Sequence, residues 1–123
     1  MNLFPAHFEP DPGRPAGLRI GTRTVALPGA PRGDTAGWTA GVRPEGIDLL
    51  ADGSAANGVP ARIDHIESLG HETLVHVRLE GDEALPVVAR VPGMPALTIG
   101  QRVGVVLDPA HVRLFDADGR LVR

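Results

Sequence analysis

The stretch Val59–Leu79, VPARIDHIESLGHETLVHVRL, decides the fold. Val59, Ala61 and Ile63 recur at every second position, which is the period of a strand with one buried face. Ile66 falls out of that phase, as it would after one extra residue near Asp64-His65, a β-bulge. Leu69-Gly70 turns the chain. Thr73, Val75, Val77 and Leu79 then alternate with Leu74, His76, Arg78 and Glu80, a second half-buried strand.

Downstream, Gly81-Asp82 leads into a partner strand through Leu85, Val87, Ala89 and Val91. The segment from Pro92 past Pro95 to Gly100 leads to an apolar strand, Val103 to Leu107. Asp108-Pro109 turns the chain into His111 to Phe115, and Asp116 to Gly119 is a tight turn into a short last strand, Leu121-Val122.

Upstream, Leu3 to Glu9 reads as a first strand broken by Pro5, and Pro10 to Gly17 as a linker. Leu18 to Leu27 reads as one strand, with Leu18, Ile20 and Thr22 opposite Arg19 and Arg23. Gly21 marks a bend or a close backbone approach in it. After a loop from Pro28 to Gly37 come a strand from Trp38 to Val42, a corner at Pro44 and an apolar run from Ile47 to Leu50. Ala51 to Gly58 is a small-residue loop with two turn signals, Asp52-Gly53 and Asn57-Gly58. It is the best internal boundary, dividing N-terminal strands and corner (1–50) from main barrel strands (59–123) within one domain. No segment holds a 3.6 period over ten residues. Short strands, a bulge and many turns predict an all-β fold, a small Greek-key barrel with an N-terminal β arm.

Composition agrees. The 123 residues include 16 Gly and 12 Pro, and four aromatics: Phe4, Phe8, Trp38 and Phe115. All 12 basic residues are Arg, which reads as coding bias, and the net charge is −3. That balance supplies neither a basic stripe for a phosphate backbone nor a polybasic patch for an anionic membrane. With so few aromatic platforms, single-stranded nucleic acid is also set aside as a partner. No apolar run approaches the ~20 residues of a membrane span. Met1-Asn2-Leu3-Phe4-Pro5 lacks the basic start of a signal peptide, so a cytoplasmic protein is expected.

The chemistry is mostly a list of exclusions. Without Lys there is no phosphate-binding loop ending in Lys-Ser/Thr, and without Cys no thiolate nucleophile or Cys-type zinc site. His71 and His76 sit an odd number of positions apart, so they face opposite sides of a strand; with His65 they read as solvated histidines. Asp116-Ala117-Asp118-Gly119 begins like a calcium loop but lacks the third oxygen ligand and the Glu at position twelve, so it reads as a hairpin turn. Ser54 and Ser68 have no Gly-x-Ser-x-Gly elbow, and Glu67, Glu72 and Glu80 imply no cleft. No catalytic, cofactor-binding or metal-ligating residue is expected.

Three ordered pieces carry a resemblance: GVRPEGIDLL (Gly41–Leu50), IDHIESLGHETLVHVRL (Ile63–Leu79) and VVLDPAHVRLFDADGRLV (Val105–Val122). Together they resemble the C-terminal regulatory region of ATP-binding subunits of maltose- and glycerol-3-phosphate-type ABC importers. That family has a Gly-Ile-Arg-Pro-Glu corner, then a Val-Glu-x-Leu-Gly-x-Glu strand and turn, then an Asp-Pro … His-Leu-Phe-Asp … Gly run. The matching positions here are Gly41 to Glu45 (Gly41, Arg43, Pro44, Glu45), then Glu67, Leu69, Gly70 and Glu72, then Asp108, Pro109, Leu114, Phe115, Asp116 and Gly119. MNLFPAHF (Met1–Phe8) is similar to the Met-Asn-Phe segment where that region leaves the nucleotide-binding domain.

The resemblance implies an oligonucleotide-binding-type (OB-fold-like) barrel, the TOBE or MOP-like domain. It implies a regulatory and dimerisation module without catalysis of its own. Implied partners are a second copy, the nucleotide-binding domain, the membrane subunits and a regulatory protein, at the cytoplasmic side of the inner membrane. ATP and Mg would belong to the nucleotide-binding domain, so the sequence is either a cut piece or a free-standing regulatory domain. The alternative is a free-standing sensor that binds an oxyanion or a sugar. Two departures stand out. Gly46 occupies a position where the family often has His. Ala61 to Leu69 holds no Lys and only Ser68, unlike the oxyanion motif of molybdate-type relatives. At the corner, Pro44 fixes φ, Arg43 is expected to fork onto carbonyls or a carboxylate, and Glu45 to pair with an Arg. The pair is read as a buttress ahead of a ligand contact. Leu74 and Val88 lie opposite Val75 and Val87, so Phe4 and Phe8, or a second subunit, are expected to cover that face.

Overall fold

The computed structural model describes residues 1–10, 16–31, 33–51, 58–81 and 85–123. Parts of the expected linker and loops, Ser54 and Asp82 of the Gly81-Asp82 turn lie outside the described residues. Among those described there are eleven strands and two 3₁₀ turns, and no α-helix. Among the described residues no helix is long and apolar enough to cross a membrane.

The quoted stretch forms the heart of the molecule. Strands β7 (Val59–Ser68) and β8 (Glu72–Leu79) pair antiparallel, with the register shifting between Ile63 and His65. The bulge inferred from the phase of Ile66 is therefore present. Strand β9 (Pro86–Pro92) follows beside β8, and β10 (Arg102–Leu107) returns to pair with the far side of β7. The spatial order β10-β7-β8-β9 is a Greek key. Strand β6 (Ile47–Leu50) extends that sheet beside β10. The barrel thus draws one strand from the first fifty residues. Its interior is packed with Val59, Ala61, Ile63, Val75, Val77, Leu79, Val87, Ala89, Val103 and Val105, all buried, as alternation on one face requires.

Two small sheets flank it. One joins β1 (Asn2–Pro5), β5 (Thr39–Val42) and β11 (Arg113–Phe115); Leu121 adds only a single bridge to Phe115. The other joins β2 (Phe8–Glu9), β3 (Gly17–Ile20) and β4 (Arg23–Ala26). Leu3 to Glu9 is therefore two strands in different sheets. Leu18 to Leu27 is a hairpin, not one strand: Ile20 pairs with Arg23 across Gly21-Thr22. Gly21 serves both as the turn, at φ +58, and as a close approach. A Cβ there would lie 3.0 Å from the Glu80 carbonyl oxygen and 3.0 Å from Val59 Cγ1.

The aromatics also depart from expectation. Phe4 is buried in the core rather than covering the outer face of β8 and β9. Phe8 instead meets Trp38 edge to face, with centroids 6.4 Å apart at 86°. Leu74 and Val88 are half-buried.

Candidate functional site

Most of the family-motif positions converge on one place, where two paired strands change sheets together. β5 pairs with β11 through Gly41 and Arg113, while β6 pairs with β10 through Ile47 and Leu107. Between them each chain makes a three-residue 3₁₀ turn, Pro44–Gly46 and Pro109–His111. Each turn opens on Pro, whose fixed φ suits a first helical position and whose missing N–H costs nothing there. The two corners touch. Gly46 is buried, and a Cβ on it would lie 3.0 Å from His111 Nδ1, 3.1 Å from His111 Cβ and 3.2 Å from Val42 Cγ1. The His111 side chain therefore occupies the space beside residue 46, which accounts for Gly at that position.

The side chains that open the corners behave differently. Asp108 Oδ1 accepts from the Ala110 N–H at 2.9 Å and caps its turn. Arg43 stands at the equivalent position and makes no side-chain cap. The Arg43 and Glu45 side chains are exposed, with no hydrogen bond or ion pair among the described residues. The expected polar buttress is thus absent. The corner is held by its backbone, by the Gly46 N–H donating to the Arg43 carbonyl at 2.9 Å, and by the packing of Gly46.

Phe115 and Gly119 lie nearby at the C-terminal turn. Asp116 Oδ1 accepts from the N–H groups of Asp118 at 3.0 Å and Arg120 at 2.9 Å, and Gly119 adopts φ +82. The Asp116 carboxylate closes a turn, as the sequence implied. Over Gly41 converge Met1, Leu3 and Phe115. Leu3 at 59% and Leu121 at 63% exposure leave an apolar outer face on this sheet. Beside it runs an open groove of about 860 Å³ lined by Leu3, Pro5, Phe8, Trp38 and their neighbours.

Glu67, Leu69, Gly70 and Glu72 gather elsewhere, at the β7–β8 turn. Gly70 takes φ +92 and the Leu69 N–H donates to the Glu72 carbonyl at 2.8 Å. The Glu72 carboxylate lies 3.7 Å from His71 Nε2 and 3.6 Å from Arg90 Nε. Glu67 Oε1 lies 3.4 Å from His65 Nε2 and 3.8 Å from His76 Nε2. His65 and His76 are register partners with ring centroids 5.4 Å apart, a pairing that comparing His71 with His76 overlooked. The bulge at Asp64 and the turn at Leu69-Gly70 together fix that register. Glu80 lies apart with Arg102, at 3.0 Å. The three carboxylates thus lie beside His and Arg side chains, Glu67 and Glu72 at this turn and Glu80 away from it. Among the described residues no group of three or more His, Asp or Glu is arranged to hold a metal ion.

What fold and site define together is a small β-barrel module organised around paired proline corners. The model of the TOBE domain family matches residues 40–115, and the chain belongs to that family. The sn-glycerol-3-phosphate import ATP-binding protein UgpC of Chromohalobacter salexigens is 42% identical over 100 residues, covering 80% of this chain and 26% of the relative. The protein of the same name from Rhodopseudomonas palustris is 39% identical over 96 residues, covering 65% of this chain and 26% of the relative. The sulfate/thiosulfate import ATP-binding protein CysA of Bordetella pertussis is 31% identical over 99 residues, covering 79% and 28%. The chain spans about a quarter of the length of the relatives it matches.

Proposed function

We propose that this chain is the regulatory region of the ATP-binding subunit of an ABC importer for sugars or related solutes, with no catalysis of its own. One observation carries the reading. The part shared with import ATP-binding proteins is a barrel in which the motif residues Pro44, Gly70, Asp108 and Pro109 turn and cap the chain. ATP and Mg then belong to a nucleotide-binding domain. The partners are that domain, the membrane subunits, a regulatory protein and a second copy of this region, at the cytoplasmic side of the membrane. Relatives named for glycerol-3-phosphate and for sulfate share the barrel, so the barrel does not choose the solute.

A chimera tests the reading: this chain replaces the matching quarter of the Chromohalobacter relative. The chimeric subunit is expected to assemble with its membrane subunits and support uptake; failure to assemble overturns the proposal. The isolated chain is expected to show no thermal stabilisation by MgATP. Stabilisation by sulfate, phosphate or a sugar favours a free-standing sensor instead. The apolar face of Leu3, Phe115 and Leu121 supports pairing of copies, over a total area of roughly 1,200–1,600 Å². Sedimentation equilibrium of the isolated chain is expected to show a weak dimer. A monomer mass at every concentration up to about a millimolar would mean that pairing depends on the other domains.

A further inference from the structure

The barrel sheet ends in β6 on one side and β9 on the other. These two strands lie against one another with no ladder between them. The free edge of β9 is therefore the seam of the barrel. β9 pairs with β8 along its length, placing His76 opposite Val88 and Leu74 opposite Arg90. The backbone groups that point away from β8 belong to alternate residues. Val88 is one of them, so Pro86, Arg90 and Pro92 are the others. Pro86 and Pro92 carry no N–H, a usual way to blunt an edge.

Val88 is met by a side chain. The Val88 N–H donates to Asn2 Oδ1 at 2.8 Å, and Asn2 Nδ2 donates to the Val88 carbonyl at 2.8 Å. One planar amide thus reproduces both bonds of an antiparallel rung. Asn2 is only 8% exposed. It belongs to neither seam strand: it sits in β1, opposite Val42 of β5 and two residues before the buried Phe4. A carboxamide is required, because a carboxylate has no donor for the carbonyl and an alkyl group has neither function.

We infer that Asn2 is a latch: it shuts the seam of the barrel and makes the position of β1 and the closure of the β9 edge a single event. With β1 seated, the Val88 rung is paired; with β1 displaced, Val88 joins Arg90 as an unbonded rung of that edge. Movement of the N-terminal strand is thereby transmitted to the barrel edge that it touches.

Native-state hydrogen exchange of the whole 123-residue chain, followed by NMR, tests this. In the unsubstituted protein, after correction for intrinsic rates, the Val88 amide is expected to exchange at least tenfold more slowly than that of Arg90, since of the two only the Val88 N–H has a partner among the described residues. Asn2→Ala is expected to raise exchange at Val88 about tenfold or more, while amides remote from the seam, such as Ala61 and Leu114, change less than about twofold. Asn2→Asp keeps the acceptor and is expected to fall between the two at Val88. The inference is overturned if Val88 is no better protected than Arg90 without substitution. It is overturned equally if Asn2→Ala leaves Val88 unchanged or raises all amides in the same proportion. Should Asn2→Ala fail to fold, the unsubstituted comparison and Asn2→Asp still decide.

Discussion

The two proline corners have the same backbone and opposite uses for the side chain that opens them. At Pro109–His111 the leading Asp108 turns its carboxylate inward to cap the turn. At Pro44–Gly46 the leading Arg43 turns outward, and Glu45 beside it does the same. The fold therefore uses Pro44, Gly46, Asp108 and Pro109 and leaves Arg43 and Glu45 unspent. A run of letters that reads as one motif is thus two sets: residues the barrel needs, and charges held on a rigid turn and offered outward.

The largest effect tests whether the corners are truly joined. Gly46→Val puts a branched side chain into space held by His111 and Val42, and is expected to cost about 1–3 kcal/mol in urea unfolding. His111→Ala in the same chain is expected to recover about 0.5 kcal/mol or more of that loss as coupling. No loss on Gly46→Val would show that the corners do not depend on each other. Gly41→Ala makes a useful contrast. Its closest clash is with Met1 Sδ, 2.6 Å from the added Cβ, at the end of an exposed and flexible side chain that can move aside. A smaller loss than at Gly46 is expected by the same measurement.

The next effect tests the cap. Asp108→Ala removes the acceptor of the Ala110 N–H and is expected to cost about 1 kcal/mol. Asp108→Asn keeps an acceptor and is expected to recover most of it. Equal losses in the two variants would mean that the charge, and not the cap, is what matters there.

The barrel was legible because its signals are local and redundant. Val75, Val77 and Leu79 alternate without interruption, and the single phase slip at Ile66 marks a single bulge. The N-terminal hairpin was misread because a two-residue turn moves the buried set from even to odd positions. Leu18 and Ile20 are buried before Gly21-Thr22, and Leu27 after it. A continuous strand would have kept one parity, so Val25 and Leu27 held the signal. The switch of sheets at the corners was not legible, because it depends on β5 finding β11 and β6 finding β10, more than fifty residues away in the chain. For the same reason the prolines announced turns without revealing that the turns pack together. Arg43 and Glu45 looked like a buttress because their residue types permit one; only the outward direction of both side chains excludes it.

The smallest expected effect on stability is the one that bears most on function. Arg43→Ala and Glu45→Ala, singly or together, remove exposed side chains with no polar partner among the described residues. Substitutions of that kind move stability by no more than about 0.5 kcal/mol, and the turn keeps Pro44 and its backbone bond to Gly46. The paired variant is therefore expected to unfold at nearly the same urea concentration as the parent chain, well short of the loss at Asp108→Ala. A loss above about 1 kcal/mol would restore Arg43 and Glu45 as a buttress and erase the difference between the corners. If stability holds, the same two substitutions in the chimeric subunit are expected to weaken co-purification with its partner subunits, whereas Asp108→Ala, acting only through the fold, lowers stability first. A double variant that neither unfolds nor loses partners would leave the comparison true of the architecture and without a role in assembly.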